Sequence, residues 1–114
     1  MNQTNIYNAK IVKAWLIKEY DGMPIELKLE VKSTVGSAVM SFDLSKIEKI
    51  FNILNITNFD NIINSPCIVL IHKGIMKDIG KFLFHHYDGR PFTEEDKDWV
   101  FNDTLRKEIY NYVD

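Results

Sequence analysis

The sequence predicts an α+β domain: an antiparallel sheet of about five strands in the order β-β-β-α-β-β-α, with helices packed on one face. Three observations carry this prediction. Residues 25–32 alternate between apolar and charged side chains, which is typical of a strand with one face in a core and the other in water. Short turns containing Gly or Pro separate the β-rich segments, which favours antiparallel pairing. One apolar stripe at helical spacing follows in residues 47–54.

The first three strands are predicted to form a meander. Residues 10–20 are rich in β-forming side chains and precede a turn at 21–24. The alternating strand follows this turn, and a third strand is predicted at 38–44. Residues 1–8 are polar and are predicted to be a loose lead-in.

A helix is predicted to begin at Ser45, because Ser45 and Glu48 have the spacing of a capping box. Asn55 suits the end of this helix, since asparagine tolerates the left-handed conformation of a C-terminal cap. Residues 58–64 are predicted to add a short helical turn whose apolar side chains, including Ile63, point inward.

The second half of the sheet is predicted from two further strands. The apolar run 67–72 leads through a tight turn at 73–74 into a strand at 75–85. Residues 88–91 are predicted to be a loop, and 93–114 an acidic helical extension with its acids in the first turn.

The 114 residues suit one domain, with a core at about 9–87 and the acidic C-terminal extension at 93–114. Residues 1–92 carry 11 Lys and Arg against 9 Asp and Glu, whereas 93–114 carry 3 against 7. The net charge of −2 points neither to nucleic acid nor to an anionic membrane. Because Cys67 is the sole cysteine and neither a secretory signal nor a membrane span is evident, the protein is predicted to be cytoplasmic, with no membrane partner.

The segment 85–92 is the predicted partner-binding loop. It concentrates polar aromatic residues and an arginine, which are enriched at binding hot spots. The alternative interpretation is a strand end followed by a loop into the last helix. The candidate contact residues are His85, His86, Tyr87, Asp88, Arg90 and Phe92.

Two further surfaces are candidates for binding. The first hairpin places lysines beside aromatic residues, which could form a platform for single-stranded nucleic acid, although neighbouring glutamates dilute its charge. The start of the last helix could form an acidic contact surface, or its acids could simply stabilise the helix N-terminus. The basic and aromatic candidates are Lys13, Trp15, Lys18 and Lys28, and the acidic candidates are Glu94, Glu95 and Asp98.

No catalytic residue, metal ligand or cofactor is predicted. His85 and His86 are adjacent, so on a strand they point to opposite faces and do not readily hold one metal together. Cys67 opens an apolar strand, the setting of a buried structural cysteine rather than of a nucleophile. Phosphate-binding, dinucleotide-binding and zinc-protease motifs do not occur in the sequence.

Three segments of the chain carry a family resemblance. They are Lys10–Leu16, the helix end Ile50–Ile56 with Asp60 after it, and Ile79–Leu83. Together they resemble a family of small α+β proteins encoded in bacterial phages and prophages. The resemblance implies a phage or prophage origin and action in the cytoplasm of the bacterial host, and it implies no particular activity. Residues 35–40 contain one glycine where the family often has a Gly-rich aromatic stretch, and the acidic C-terminal segment extends past the family's usual end.

The function predicted from these observations is non-catalytic binding, as an inhibitor of or an adaptor to a host or phage protein, with counter-defence as one such role. The alternative is a nucleic-acid-associated accessory factor in phage replication or recombination. A second alternative is a small metal- or histidine-dependent enzyme. Strand edges and the exposed Trp15 face leave a homodimer open.

Overall fold

A computed structural model describes residues 4–99 of the protein. Within this range the chain forms six strands and two helices. They are β1 (Thr4–Ile17), β2 (Glu26–Ser33), β3 (Gly36–Asp43), α1 (Ile47–Leu54), β4 (Pro66–His72), β5 (Ile75–Gly80), β6 (Arg90–Pro91) and α2 (Glu94–Trp99). Short 3-10 turns at Leu44–Lys46 and Phe59–Asn61 precede α1 and β4.

The long strand β1 joins the two halves of the sheet. Its residues 9–17 pair with β2 and its residues 4–10 pair with β4 on the opposite edge. The strand order is β3-β2-β1-β4-β5, antiparallel throughout. The short strand β6 pairs with β1 at Asn5 and Ile6, where β1 extends past its pairing with β2. The predicted α+β class with an antiparallel sheet is confirmed; within the described range the sheet has six strands rather than about five, because the short strand β6 adds to the predicted order before α2.

The prediction that the chain begins with a loose lead-in is wrong for Thr4–Asn8. This segment pairs with residues 68–72 of β4, and Ile6 is fully buried. The polar residues of the segment concealed the strand, because their partners lie far along the chain. The Thr4 hydroxyl is hydrogen-bonded to the His72 ring, for example.

The two faces of the sheet carry separate apolar clusters. Cys67 and Val69 of β4 belong to one cluster, whereas Ile68 and Leu70 belong to the other, as alternation along a strand requires. The larger cluster draws residues from both edge strands, β3 and β5, so the sheet curls around it. The apolar side of α1 completes this concave core, whose buried members include Leu27, Leu29, Val31, Phe42, Ile50, Ile53, Leu54 and Ile79.

The second face of the sheet is covered by the segment that follows β5. Tyr87 and Phe92 pack there on Ile6, Ile68 and Leu70, and all five side chains are buried. The helix α1 therefore packs on the concave face, as predicted. The segment that leads to α2 covers the opposite face.

A bulge in β1 adapts the strand to the concave core. The pairing of β1 with β2 shifts by one residue between Ile11 and Lys13. Strict alternation would place Ile11 and Ala14 on opposite faces, but the extra residue allows both to contact the larger cluster. Lys10 and Lys13 consequently both lie on the convex face.

The helix α1 begins differently from the prediction. Asp43 accepts a hydrogen bond from the Ser45 N–H at 2.8 Å and so starts the 3-10 turn that precedes the helix. Lys46 stands at the N-cap without a side-chain hydrogen bond, so Ser45 and Glu48 form no capping box. The hydrogen bonds from Ser45 lower the pKa of Asp43. Asn55 ends α1 as predicted, with a left-handed φ of 56°.

Two strand ends and the exposure of one side chain also differ from the sequence prediction. β1 ends at Ile17 rather than at Tyr20, and β5 ends at Gly80 rather than at His85. Beyond Gly80 the chain leaves the sheet to cover its second face. Ile63 is exposed, whereas the sequence predicted that it points inward.

Candidate functional site

The predicted partner-binding loop, residues 85–92, is largely a structural element of the domain. Tyr87 and Phe92 are fully buried in the second apolar cluster, so they are not available to a partner in this conformation. The prediction that these two residues form a contact surface is wrong, because their aromatic rings cover the sheet. The alternative interpretation, a strand end followed by a loop into the last helix, holds only for the connection to α2, because β5 ends at Gly80 and residues 90–91 form β6.

Hydrogen bonds hold this segment along the edge of β1. The Asp88 carboxylate accepts the Asn8 N–H at 3.0 Å and the Thr34 hydroxyl at 3.2 Å. The Gly89 N–H donates to the Ile6 carbonyl at 2.9 Å. Asp88 therefore acts as a link between β1 and the β2–β3 turn, a role that its position in the sequence did not indicate.

Arg90 is committed to an internal ion pair with Asp96. Their side chains approach to 2.6 Å, and the Asp96 carboxylate is 1% exposed. Asp96 also accepts the N–H and the hydroxyl of Thr93 at 2.9 and 3.1 Å, which secures the start of α2. The Arg90 guanidinium lies 5.2 Å from the centre of the Tyr87 ring, a cation–π distance. Burial raises the pKa of Tyr87, and the charge of Arg90 acts in the opposite direction.

His85 and His86 remain exposed at the surface of this segment. The His86 ring stacks on Phe84 at 5.4 Å between centroids, and the His85 ring meets the edge of Phe82 at 5.2 Å. Within residues 4–99, no three His, Cys, Asp or Glu side chains converge as metal ligands would. The geometry of the two histidines is that of aromatic packing on a surface.

The predicted acidic surface is divided by the structure. Glu94 and Glu95 are exposed in the first turn of α2, and the side chain of Asp98 lies outside the described part of the chain. Asp96, which lies in the same acidic run but was not among the predicted contact residues, is the buried acid of this group. The Thr93-to-Asp96 spacing, three residues at the start of a helix, was the available signal.

The predicted basic and aromatic patch is brought together only in part. Trp15 pairs with Lys28 across the hairpin, and Lys13 pairs with Glu30. The Lys28 ammonium lies 3.3 Å from Glu26 and 3.7 Å from Glu19, so carboxylates offset its charge. Lys18 is exposed just beyond the end of β1. Acid and base alternate over the convex face, which does not favour a phosphate-binding stripe.

The end of the β1–β2 hairpin is the largest concentration of exposed apolar side chains in the described range. We define the hairpin tip as Trp15, Leu16, Ile17, Tyr20, Met23 and Ile25, each exposed by more than a third. The turn is closed by a hydrogen bond from the Met23 N–H to the Tyr20 carbonyl. A concentration of exposed apolar residues in one segment marks a candidate interaction site. Trp15 and Tyr20 were considered from the sequence as aromatic members of the basic patch; apolar residues on both sides of the Asp-Gly-Met-Pro turn were the signal for the others.

A cavity of about 370 Å³ opens between the β2–β3 and β4–β5 turns. Residues 36–38 of β3 and Met76 of β5 line it together, which follows from the curl of the sheet. Its described lining contains Tyr7 but no acid, base or thiol. The Asn5 amide beside it already donates to the Gly89 carbonyl at 2.9 Å. The cavity therefore lacks the convergent polar groups of a catalytic site.

Cys67 is not an accessible nucleophile. It is fully buried in the concave core, and burial raises its pKa to about 12. A thiol with this pKa carries almost no thiolate near neutral pH, so its reactivity is low.

No family model, curated protein or solved structure matches the chain. The resemblance to a phage family and the functions ranked above stay predictions. Within residues 4–99, no helix combines the length and apolar character that crossing a membrane requires.

Proposed function

We propose that this protein is a non-catalytic binding protein that docks on another protein through the hairpin tip. The single observation behind the proposal is the exposed apolar surface of the tip, which includes Tyr20 at 67% exposure and Trp15 at 37%. Tryptophan and tyrosine dominate binding hot spots, because each buries a large apolar area at little cost in conformational entropy. The uncharged cavity and the buried Cys67 offer no competing catalytic arrangement.

A protein partner suits the tip better than nucleic acid does. Binding driven by phosphates needs a run of uncompensated cations. On the convex face beside the tip, Lys28 is flanked by Glu19 and Glu26, and Lys13 lies opposite Glu30. The charges therefore frame an apolar patch with both signs, as in the polar rim of a protein interface.

The biological setting belongs to the same proposal. The resemblance to phage and prophage proteins suggests a host or phage protein as the partner, and inhibitor or adaptor as the role. We also propose that the protein acts in the cytoplasm. Cys67, a buried free thiol, supports this setting, because disulfides are rare there.

The test is a pull-down with tagged protein from bacterial lysate, before and after nuclease treatment, read by mass spectrometry. Wild type is compared with a Tyr20→Ala, Met23→Ala double variant, which alters the turn and no core residue. The matched control is Ile75→Ala, since Ile75 is 57% exposed at the start of β5, in the β4–β5 hairpin.

The expected result is one nuclease-resistant protein that the double variant loses and the control retains. A partner retained by the double variant would exclude the tip as its docking site. A partner set that disappears on nuclease treatment would instead favour the nucleic-acid-associated alternative.

A further inference from the structure

We propose that two copies of this chain associate edge to edge through β3, as an antiparallel pair with the two-fold axis at Met40. The two sheets would then continue into one another across a β3–β3 ladder. This inference does not depend on the proposed function of the hairpin tip, because it uses a different strand and a different partner.

The outer edge of β3 has free pairing capacity. Among residues 4–99, β3 pairs only with β2. The Leu44 N–H donates to the Ile25 carbonyl at 3.2 Å, which sets the alternation of bonded and non-bonded pairs along this ladder. The backbone N–H and C=O groups of residues 37, 39, 41 and 43 therefore point away from β2.

This edge lacks the features that usually prevent association. Proteins blunt exposed edges with lysine, proline or a bulge. β3 contains none of these, and Val39 at its centre is 51% exposed. The other edge strand, β5, contrasts with it: the pairing register shifts between Leu70 and Ile71, leaving Lys77 as an extra residue. β3 is thus the flatter and less protected edge.

Charge complementarity identifies a second copy as the occupant and selects the register. With Met40 opposite its own copy, Ser37 lies opposite Asp43 of the second copy. Along this row on the convex face, Lys32 lies beside Ser37 and Lys10 lies beyond Lys32, whereas Glu26 lies beside Asp43. The basic side chains of one copy therefore face the acidic side chains of the other. The two-fold axis repeats this contact at the other end of β3.

The next row is complementary as well. Val39 lies opposite Ser41 of the second copy; Glu30 flanks Val39, and Lys28 flanks Ser41. In this register the whole segment 37–43 is paired, and the opposite charges on the two β2 strands attract one another across the β3–β3 ladder.

The neighbouring registers oppose like charges. An axis at Val39 brings Glu30 towards its own copy and Lys32 towards Lys28. An axis at Ser41 brings Lys28 towards its own copy. These charges lie on β2, so they face one another across both β3 strands; their like signs raise the electrostatic energy of these two registers, and the Met40 register is therefore preferred.

The first experiment measures molar mass by sedimentation equilibrium across a concentration series, at low salt, with the full chain. Wild type is expected to dimerise, and added salt is expected to weaken the dimer, since the charge pairs are solvent-exposed. Val39→Lys places a cation near Lys28 of the second copy and is expected to raise the dissociation constant at least about tenfold. Ile75→Lys, at a similarly exposed position on β5, is the control and is expected to dimerise like wild type.

The second experiment tests the register by disulfide formation between two single variants. Val39→Cys protein mixed with Ser41→Cys protein is expected to cross-link, since opposed Cα atoms about 5.5 Å apart lie within disulfide range. Val39→Cys alone is expected to cross-link poorly, because position 39 and its copy are then diagonal, at about 7–8 Å. Cys67 does not interfere, because it is fully buried.

A wild-type protein that stays monomeric throughout the series would overturn the proposal, as would a dimer that Val39→Lys leaves intact. Efficient cross-linking of Val39→Cys with itself would overturn the Met40 register. Neither outcome bears on the hairpin tip, whose pull-down uses wild-type β3, so the two proposals fail separately.

Discussion

Phe92→Ala is the substitution that most directly tests the role of the 85–92 segment. Phe92 is 1% exposed and packs on the second face of the sheet with Tyr87, Ile6 and Leu70. Removing its ring loses about 2–3 kcal/mol of apolar transfer free energy, and the cavity left behind brings the expected cost to about 3–5 kcal/mol. A domain of this size has roughly 5–15 kcal/mol of stability, so the variant should be severely destabilised.

The chain offers a matched control in Phe84, a phenylalanine of the same segment that is 43% exposed. Phe84→Ala removes a ring that stacks on His86, which is worth at most about 1.5 kcal/mol. Urea unfolding followed by circular dichroism compares the two variants with wild type. If Phe92→Ala unfolds at the same urea concentration as Phe84→Ala, the segment does not cover the sheet, and the structural role assigned to it is wrong.

Three further predictions concern the same face and the core. Arg90→Met leaves the buried Asp96 carboxylate without its cation, so the free energy of unfolding, measured with urea, should fall by about 3–5 kcal/mol. Adding Asp96→Asn removes the unpaired charge and should recover part of that stability. Tyr87 has a raised pKa, so its contribution to stability is full below pH about 10 and falls as the pH rises through the folded-state pKa; Tyr87→Phe should abolish that part of the alkaline loss of stability. Cys67 should react with a thiol reagent only on unfolding, at a rate that rises with urea.

Each of these has a clear contrary outcome. Equal stability of Arg90→Met and wild type would show that the ion pair with Asp96 is not formed. An unchanged alkaline profile in Tyr87→Phe would assign the loss to other groups. Rapid modification of Cys67 in the native protein, at the rate of a free thiol, would contradict its burial in the concave core.

The local elements were predictable because their signals are local. The alternation of residues 25–32 predicted β2, and the structure buries Leu27, Leu29 and Val31 while leaving the intervening charges on the convex face. The stripe at 47–54 likewise predicted α1, and Asn55 ends it. The predicted capping box does not form, because the Asp43 carboxylate accepts the Ser45 N–H that Glu48 would otherwise accept.

The candidate site was less predictable, because exposure depends on distant partners. Tyr87 and Phe92 have the composition of a binding loop, yet they pack on β1 and β4, which the sequence does not place beside them. Lys28 was predicted within a basic patch, but Glu26 of the same strand and Glu19 of the segment after β1 offset its charge. The hairpin tip was not predicted as a site, because its apolar residues resemble the buried side of a strand. The structure shows that they are exposed within the described part of the chain.

The sequence by itself determined the antiparallel sheet, its first hairpins and the helix on its concave face, because periods of two and of 3.6 residues are set by backbone geometry. Only the tertiary structure decided that polar Thr4–Asn8 extends β1, that residues 85–92 close the second face, and that β3 ends the sheet. These features depend on contacts such as that of Asp88 with Asn8, 80 residues apart. Such pairings follow from the burial of the whole sheet rather than from any local pattern.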